Sequence, residues 1–228
     1  MPLTYQEALD WIYSFIDFSA KRLDKYAAVD FNLDRMARLM RLLGEPQRRY
    51  PTLHLAGTKG KGSVSSFCAS ALTAGGYRTG FYTSPHLEDF RDRFRIDGRW
   101  ISPEAVAEIV TRLRALAPEV PGITTFELTT AIGFEWFAQE GVDVAVVEVG
   151  LGGRLDATNV LMPRVSVITA LSYDHMALLG DTLTLCHRPA IAVTLSEVNQ
   201  VLYRQRRDPE SLRRVLSVAA LEQSFRRR

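Results

Sequence analysis

Lysine is nearly missing from this chain: Lys21, Lys25, Lys59 and Lys61 stand against twenty-four arginines, and none follows Lys61. Glycine stops at Gly180. The 48 residues from Asp181 to Arg228 hold nine Arg, no Lys and no Gly, where average composition would place about three glycines. Cysteine is limited to Cys68 and Cys186, far apart and without a partner motif, which argues against a disulfide framework and for a reducing compartment. No apolar run approaches the ~18 residues needed to cross a bilayer. A secretory leader is not legible either, because Asp10 and Asp17 interrupt the apolar N-terminal stretch. The net charge of +2 supplies no global attraction for nucleic acid. The expectation is a soluble, cytoplasmic, monomeric protein with neither nucleic acid nor membrane as partner.

What is present is a core. Of 228 residues, 46% are apolar, enough for one large or two small domains. Thr4-Tyr5-Gln6-Glu7 reads as a capping box opening a helix with Leu9, Ile12, Phe15 and Ile16 at helical spacing. A second helix is expected from about Leu33 to Leu43, ended by Gly44 with Pro46 beyond. Thr52 to Ala56 reads as a buried strand. A small-residue helix follows from about Ser63 to Ala74, and a second strand runs from Thr79 to Thr83. Alternation from Arg93 to Ile101 around Asp97-Gly98 marks a hairpin. Ser102-Pro103-Glu104 opens another helix, and Phe126 to Gln139 forms a further one. The near-continuous apolar runs Asp143–Val149 and Arg164–Leu171 suit strands covered on both faces. Strands alternating with helices imply right-handed crossovers. The expected class is therefore α/β, a mainly parallel sheet with flanking helices and a nucleotide-binding loop.

That loop is Gly57-Thr58-Lys59-Gly60-Lys61-Gly62-Ser63. Phosphate needs several backbone amides aimed at one point, which glycines permit, and the following helix adds its positive end. Lys61 can reach β- and γ-phosphates, and a hydroxyl after it can approach Mg²⁺. The alternative is a flexible turn with solvated lysines. A strand before, a small-residue helix after and the only clustered lysines of the chain count against it. The pattern departs from the common phosphate loop in the insertion of Gly62 between Lys61 and Ser63.

The variant G-T-x-G-K-G-S resembles that of the Mur ligase superfamily, and further stretches resemble its folylpolyglutamate synthase (dihydrofolate synthase) branch. These are Leu33-Asp34-Arg35, Thr83-Ser84-Pro85-His86-Leu87, Arg93 to Gly98, Thr125-Phe126-Glu127, Glu148 to Val160, Asp174-His175 and Leu179 to Thr182. In order and spacing they cover about residues 1–183. The resemblance implies a Mur ligase central-domain-like fold and an ATP-dependent amide ligase using Mg²⁺. The γ-phosphate would pass to a folate or dihydropteroate carboxylate, and the amino group of L-glutamate would displace phosphate from the acyl phosphate.

Roles follow from the resemblance position by position. Thr58, Lys59, Gly60, Lys61, Gly62 and Ser63 would hold ATP. Ser84, Glu148 and His175 match magnesium ligands, and Lys61, Glu148 and His175 would carry the chemistry. Leu33, Asp34, Arg35, Phe126, Glu127, Leu155 and Asp156 match stretches that contact the pterin-bearing substrate. Structural alternatives stand beside these: an imidazole on a backbone carbonyl for His175, a strand-end carboxylate in water for Glu148, a turn hydroxyl for Ser84, core packing for Phe126 and a surface helix acid for Asp34. Gly150 to Asn159 carries three glycines in four residues, suited to close backbone approach to a ligand or simply to a crossover loop.

The resemblance ends near Thr182. A lysine that the family carbamylates to hold a second metal ion has no counterpart downstream. The segment 184–228 reads as an arginine-rich, helical or disordered tail outside the family, from a shifted reading frame, a decayed gene end or a helical segment evolved for another role. The expectation is an incomplete ATP-binding domain over 1–183 without the glutamate-binding C-terminal domain, and hence a chain without turnover. The alternative is a nucleotide-binding fragment with no catalytic function.

Overall fold

The computed structural model describes residues 2–15, 32–170 and 172. The Thr4 hydroxyl accepts from the Glu7 amide and Glu7 accepts from the Thr4 amide, 3.3 and 2.8 Å, opening α1 (Tyr5–Tyr13). The Asn32 side chain caps α2 (Leu33–Leu42), and Gly44 at φ +79° turns the chain out of it. Strand β1 (Thr52–Ala56) leads to α3 (Lys61–Ala74) and β2 (Thr79–Tyr82). Strands β3 (Phe94–Ile96) and β4 (Arg99–Trp100) form the hairpin, with Asp97 and Gly98 both left-handed, as a tight primed turn needs. Then come α4 (Pro103–Leu116), α5 (Thr125–Gln139), β5 (Val144–Glu148) and β6 (Val165–Ile168).

The sheet order is β4-β3-β2-β5-β1-β6. Strands β2, β5, β1 and β6 run parallel, and only the hairpin strands pair antiparallel. The period-2 alternation of a strand sorts the central side chains into two layers. Val144 and Val146 of β5 join Leu53, Leu55, Leu72 and Val167 on the α3 face. Ala145 and Val147 join Tyr82, Phe134, Phe137 and the residues of α1, α2 and α4 on the other. Helix α5 packs on the sheet, with Phe137 against Gly80 and Gly133 against Tyr82 and Phe94, and on α1, α2 and α4, which is why it is buried on nearly every side rather than along one stripe.

The expected elements are present, with shifts at their ends. Helix α3 begins at Lys61, two residues before the expected Ser63, because Gly60 caps it at φ +81° and its carbonyl accepts from the Val64 amide at 3.0 Å. Short 3₁₀ segments at Pro46–Arg48, Phe90–Arg93, Ala117–Glu119 and Ala157–Val160 carry connections that periodicity does not reveal. Among the described residues no helix is long and apolar enough to cross a membrane.

Candidate nucleotide site

Strand β1 connects through α3 to β2 on one side, whereas β5 leads past β1 to β6 on the other. Such a reversal opens a crevice at the carboxyl ends of the strands. Residues 57–60 cross it. The amides of Lys61, Gly62 and Ser63 precede the first helical hydrogen bond, which makes them the donors a phosphate meets at a helix start. Lys61 Nζ folds back over the loop and donates to the Gly57 carbonyl at 2.9 Å.

The loop is fastened from the far edge of the sheet. The amides of Thr58 and Lys59 both donate to the Ala170 carbonyl, 2.9 and 3.1 Å. The Thr58 hydroxyl donates to the Ser172 carbonyl at 3.0 Å, and Thr169 Oγ1 donates to the Lys59 carbonyl at 2.8 Å. Thr58 and Lys59, expected to hold ATP, thus give their main-chain donors to the shape of the loop.

Glu148 ends β5, and the alternation of that strand sends its side chain to the α3 face. A Cβ at Gly62 would lie 3.5 Å from Glu148 Oε2. Thr83 Oγ1 donates to the same oxygen, and the Ser84 amide also bonds the carboxylate. Burial raises the Glu148 pKa, while Thr83, the Lys61 charge and the Ser84 amide pull it back. Lys61, Gly62, Ser84 and Glu148 therefore share one end of the sheet. A carboxylate beside a phosphate loop suits Mg²⁺, which prefers oxygen ligands and retains waters. His175 lies outside the described residues, and among the described residues no three His, Cys, Asp or Glu side chains cluster as a metal site.

The residues expected at the pterin-bearing substrate sit on the other face. Asp34 is exposed and Leu33 half-buried at the start of α2. Arg35 Nε donates to both oxygens of Glu127, 3.1 and 3.3 Å. Glu127 also receives the Thr124 amide at 2.8 Å in a capping box that opens α5. Burial raises the Glu127 pKa, and Arg35 and Thr124 oppose it. The Phe126 ring rests on Gly150, where any Cβ would fall inside van der Waals contact. Leu155 is exposed. Asp156 is buried and saturated with donors: the amides of Gly150, Leu151 and Thr158 and the Thr158 hydroxyl. Four contributing residues escaped the sequence reading. Thr124 carries the same T-x-x-E signal that was read at Thr4, and Thr83 neighbours a named ligand. His54 and Thr158 are bonded across 104 positions, and no local pattern announces them.

Comparison with known proteins places this geometry. The chain is 46% identical over 167 residues to a dihydrofolate synthase/folylpolyglutamate synthase of Mycobacterium tuberculosis, an alignment covering 67% of this chain and 34% of that protein. A protein of the same description from Bacillus subtilis is 38% identical over 188 residues, 78% of this chain and 41% of its own. A solved structure described as an FPGS-AMPPCP-folate complex superposes with a TM-score of 0.75 at 36% identity over 84% of this chain and 46% of its own. The chain is similar to folylpolyglutamate/dihydrofolate synthases over about two thirds to four fifths of its length. The chain spans about a third to two-fifths of the length of these curated relatives. A different family model, the YiiM-like 3-alpha helix domain, matches residues 193–228.

Proposed function

We propose that this chain binds ATP·Mg²⁺ at the mouth of β1, β5 and β2 and supplies the phosphoryl-transfer half of a folate-type amide ligase. The observation that carries the reading is the convergence of Lys61, the α3 amides and the Thr83-bonded Glu148 on one strand-end crevice. The Lys61 ammonium would leave the Gly57 carbonyl for the β- and γ-phosphates. The amides of Gly60, Gly62 and Ser63 would line the same phosphates. Glu148 and Ser84, with His175, would hold Mg²⁺, which when bound neutralises charge on the phosphate oxygens. In the reaction a folate or dihydropteroate carboxylate attacks the γ-phosphorus, and the bond to the β-phosphate oxygen breaks to release ADP. The glutamate nitrogen then attacks the acyl carbon, phosphate leaves and the nitrogen gives up its proton. Catalysis of this kind is mainly positioning and electrostatics. Arg35, Phe126, Glu127, Leu155 and Asp156, with Leu33 and Asp34, are assigned to the pterin-bearing substrate. The name of the M. tuberculosis relative and the folate complex of the similar structure support a folate-type substrate.

The test is calorimetry of ATP·Mg²⁺ on the 228-residue chain. Wild type is expected to bind weakly, and Lys61→Ala to lose most of that binding. Equal affinity in the two proteins sinks the phosphate-loop assignment. We assign the 184–228 tail an ancestry separate from the ligase. The YiiM-like match favours this over a shifted reading frame, since a frame-shifted sequence has no reason to resemble a protein family.

A further inference from the structure

Beneath the crevice lies a buried polar chain, of which the proposed function uses only Asp156. His54, in the middle of β1, is wholly buried, and its Nε2 lies 2.8 Å from Thr158 Oγ1. The same hydroxyl bonds Asp156 Oδ1, which also accepts the Thr158 amide at 3.0 Å. Asp156 Oδ2 accepts the Leu151 amide at 2.8 Å, and the Gly150 amide bonds the carboxylate as well. The direction of every hydrogen in the chain follows from these contacts. A carboxylate ringed by donors accepts only, so the Thr158 hydroxyl gives its proton to Asp156. Its oxygen must then receive from His54, which fixes the proton on Nε2 and leaves Nδ1 bare. Nδ1 is indeed among the buried side-chain atoms without a partner.

We infer that His54 is a positioning residue that holds the glycine loop 150–156 against the phosphate loop. It acts through Thr158, which orients Asp156 to tie down the Gly150 and Leu151 amides. Three features make the arrangement a brace rather than incidental burial. His54 lies on the strand that continues directly into Gly57 to Ser63, and Asp156 lies in the loop that follows Glu148. One hydrogen-bonded chain thus links the two segments that flank the crevice. The ring is an all-or-none donor, because Thr158 has no second hydrogen and Asp156 has none to return. Finally, the loop being braced is rich in glycines that lack side chains to pack, Gly152 and Gly153 sit at φ +66° and +153°, and Asp156 ties its Gly150 and Leu151 amides beside the Asp156 amide–Gly153 carbonyl and Asn159–Arg154 carbonyl bonds.

The inference rests on the proposed nucleotide site for its consequence but not for its test. The first measurement is amide hydrogen exchange of the full 228-residue chain, comparing wild type with His54→Leu, His54→Gln, Thr158→Val and Thr158→Ser. Glutamine places an amide N–H near the position of Nε2, and serine keeps the hydroxyl. Exchange at Gly150 and Leu151 is expected to rise about tenfold in His54→Leu and Thr158→Val, the scale of one lost hydrogen bond to a charged acceptor. It should return toward the wild-type rate in His54→Gln and Thr158→Ser, with the amides of β1 and β5 unchanged in all four. Unaltered exchange at Gly150 and Leu151 in both disruptive variants overturns the inference. Equal loosening in the conservative variants does so too, since a purely volumetric role for the ring would give that result. The second measurement is ATP·Mg²⁺ affinity in the same proteins, expected to weaken severalfold only where the loop loosens. Loop loosening with unchanged affinity would refute the coupling to the phosphate loop. A wild-type chain that binds no ATP at all would refute the proposed function and leave the exchange result standing.

Discussion

His54 is also where acid should act on the fold. Burial lowers its pKa from 6.5 to about 3, so the folded chain keeps it neutral while the unfolded chain protonates it below pH 6.5. A base with a depressed folded pKa contributes stability that is complete above its unfolded pKa and is lost as pH falls toward the folded one. Between pH 6.5 and 4.5 that loss is roughly 2–3 kcal/mol. Glu127, Glu148 and Asp156 act in the opposite sense, because burial raises all three and their ionised forms become less costly to the fold as they protonate. Comparing wild type with His54→Gln cancels those shared terms. Urea unfolding at pH 7.5 and 4.5 should show wild type losing that much stability relative to the variant, and a pH-independent difference would refute the assignment. A second residue-level expectation concerns Gly150. Alanine there drives its methyl into the Phe126 ring and should cost about 1–3 kcal/mol, the usual range for overpacking, measured by the same unfolding.

At the scale of elements, the two capping boxes give an internal comparison. Thr4 and Glu7 stand exposed at the edge of the molecule, whereas Thr124 and Glu127 are buried beside Arg35. Thr4→Ala should cost about 0.5–1 kcal/mol and Thr124→Ala about 2, the two ends of the measured range for cap removal. Chemical denaturation giving equal costs would show that burial adds nothing to the second box. The strands were legible because buried parallel strands demand apolar runs: β5 has little else before Glu148, and β1 is broken only by the polar Thr52 and His54. The α3 start was less legible, since Lys61 and Gly62 read as loop letters and become helical only through the left-handed Gly60. The 3₁₀ turn at Ala157–Val160 was invisible for another reason. It is specified by Asp156 accepting hydrogen bonds within the turn and by His54 from a distant strand, a pattern distributed over 104 positions. The phosphate loop announces itself because its letters are contiguous, while its fastening at residues 169–172 does not.

At the largest scale, the expectation for these 228 residues by themselves is binding without turnover. The 228-residue polypeptide, assayed by itself with ATP, Mg²⁺, bicarbonate, glutamate and either dihydropteroate or tetrahydrofolate, should yield no glutamyl amide. It holds no lysine after Lys61 to form the carbamate that the resemblance implies, and it covers a minority of its relatives' length. Steady product that vanishes in Lys61→Ala would overturn that expectation. The hydrogen bonds from Thr58 and Lys59 to the Ala170 carbonyl carry a further consequence, one of timing. A ribosome translates the glycine-rich loop more than a hundred residues before the strand end that secures it. Until residues 169–172 emerge, the nascent chain has β1 and α3 but an untethered turn between them. The loop is fastened only after β5 has delivered Glu148. A polypeptide released at residue 160 would spell the whole loop yet lack the partners at Thr169, Ala170 and Ser172 that fasten it.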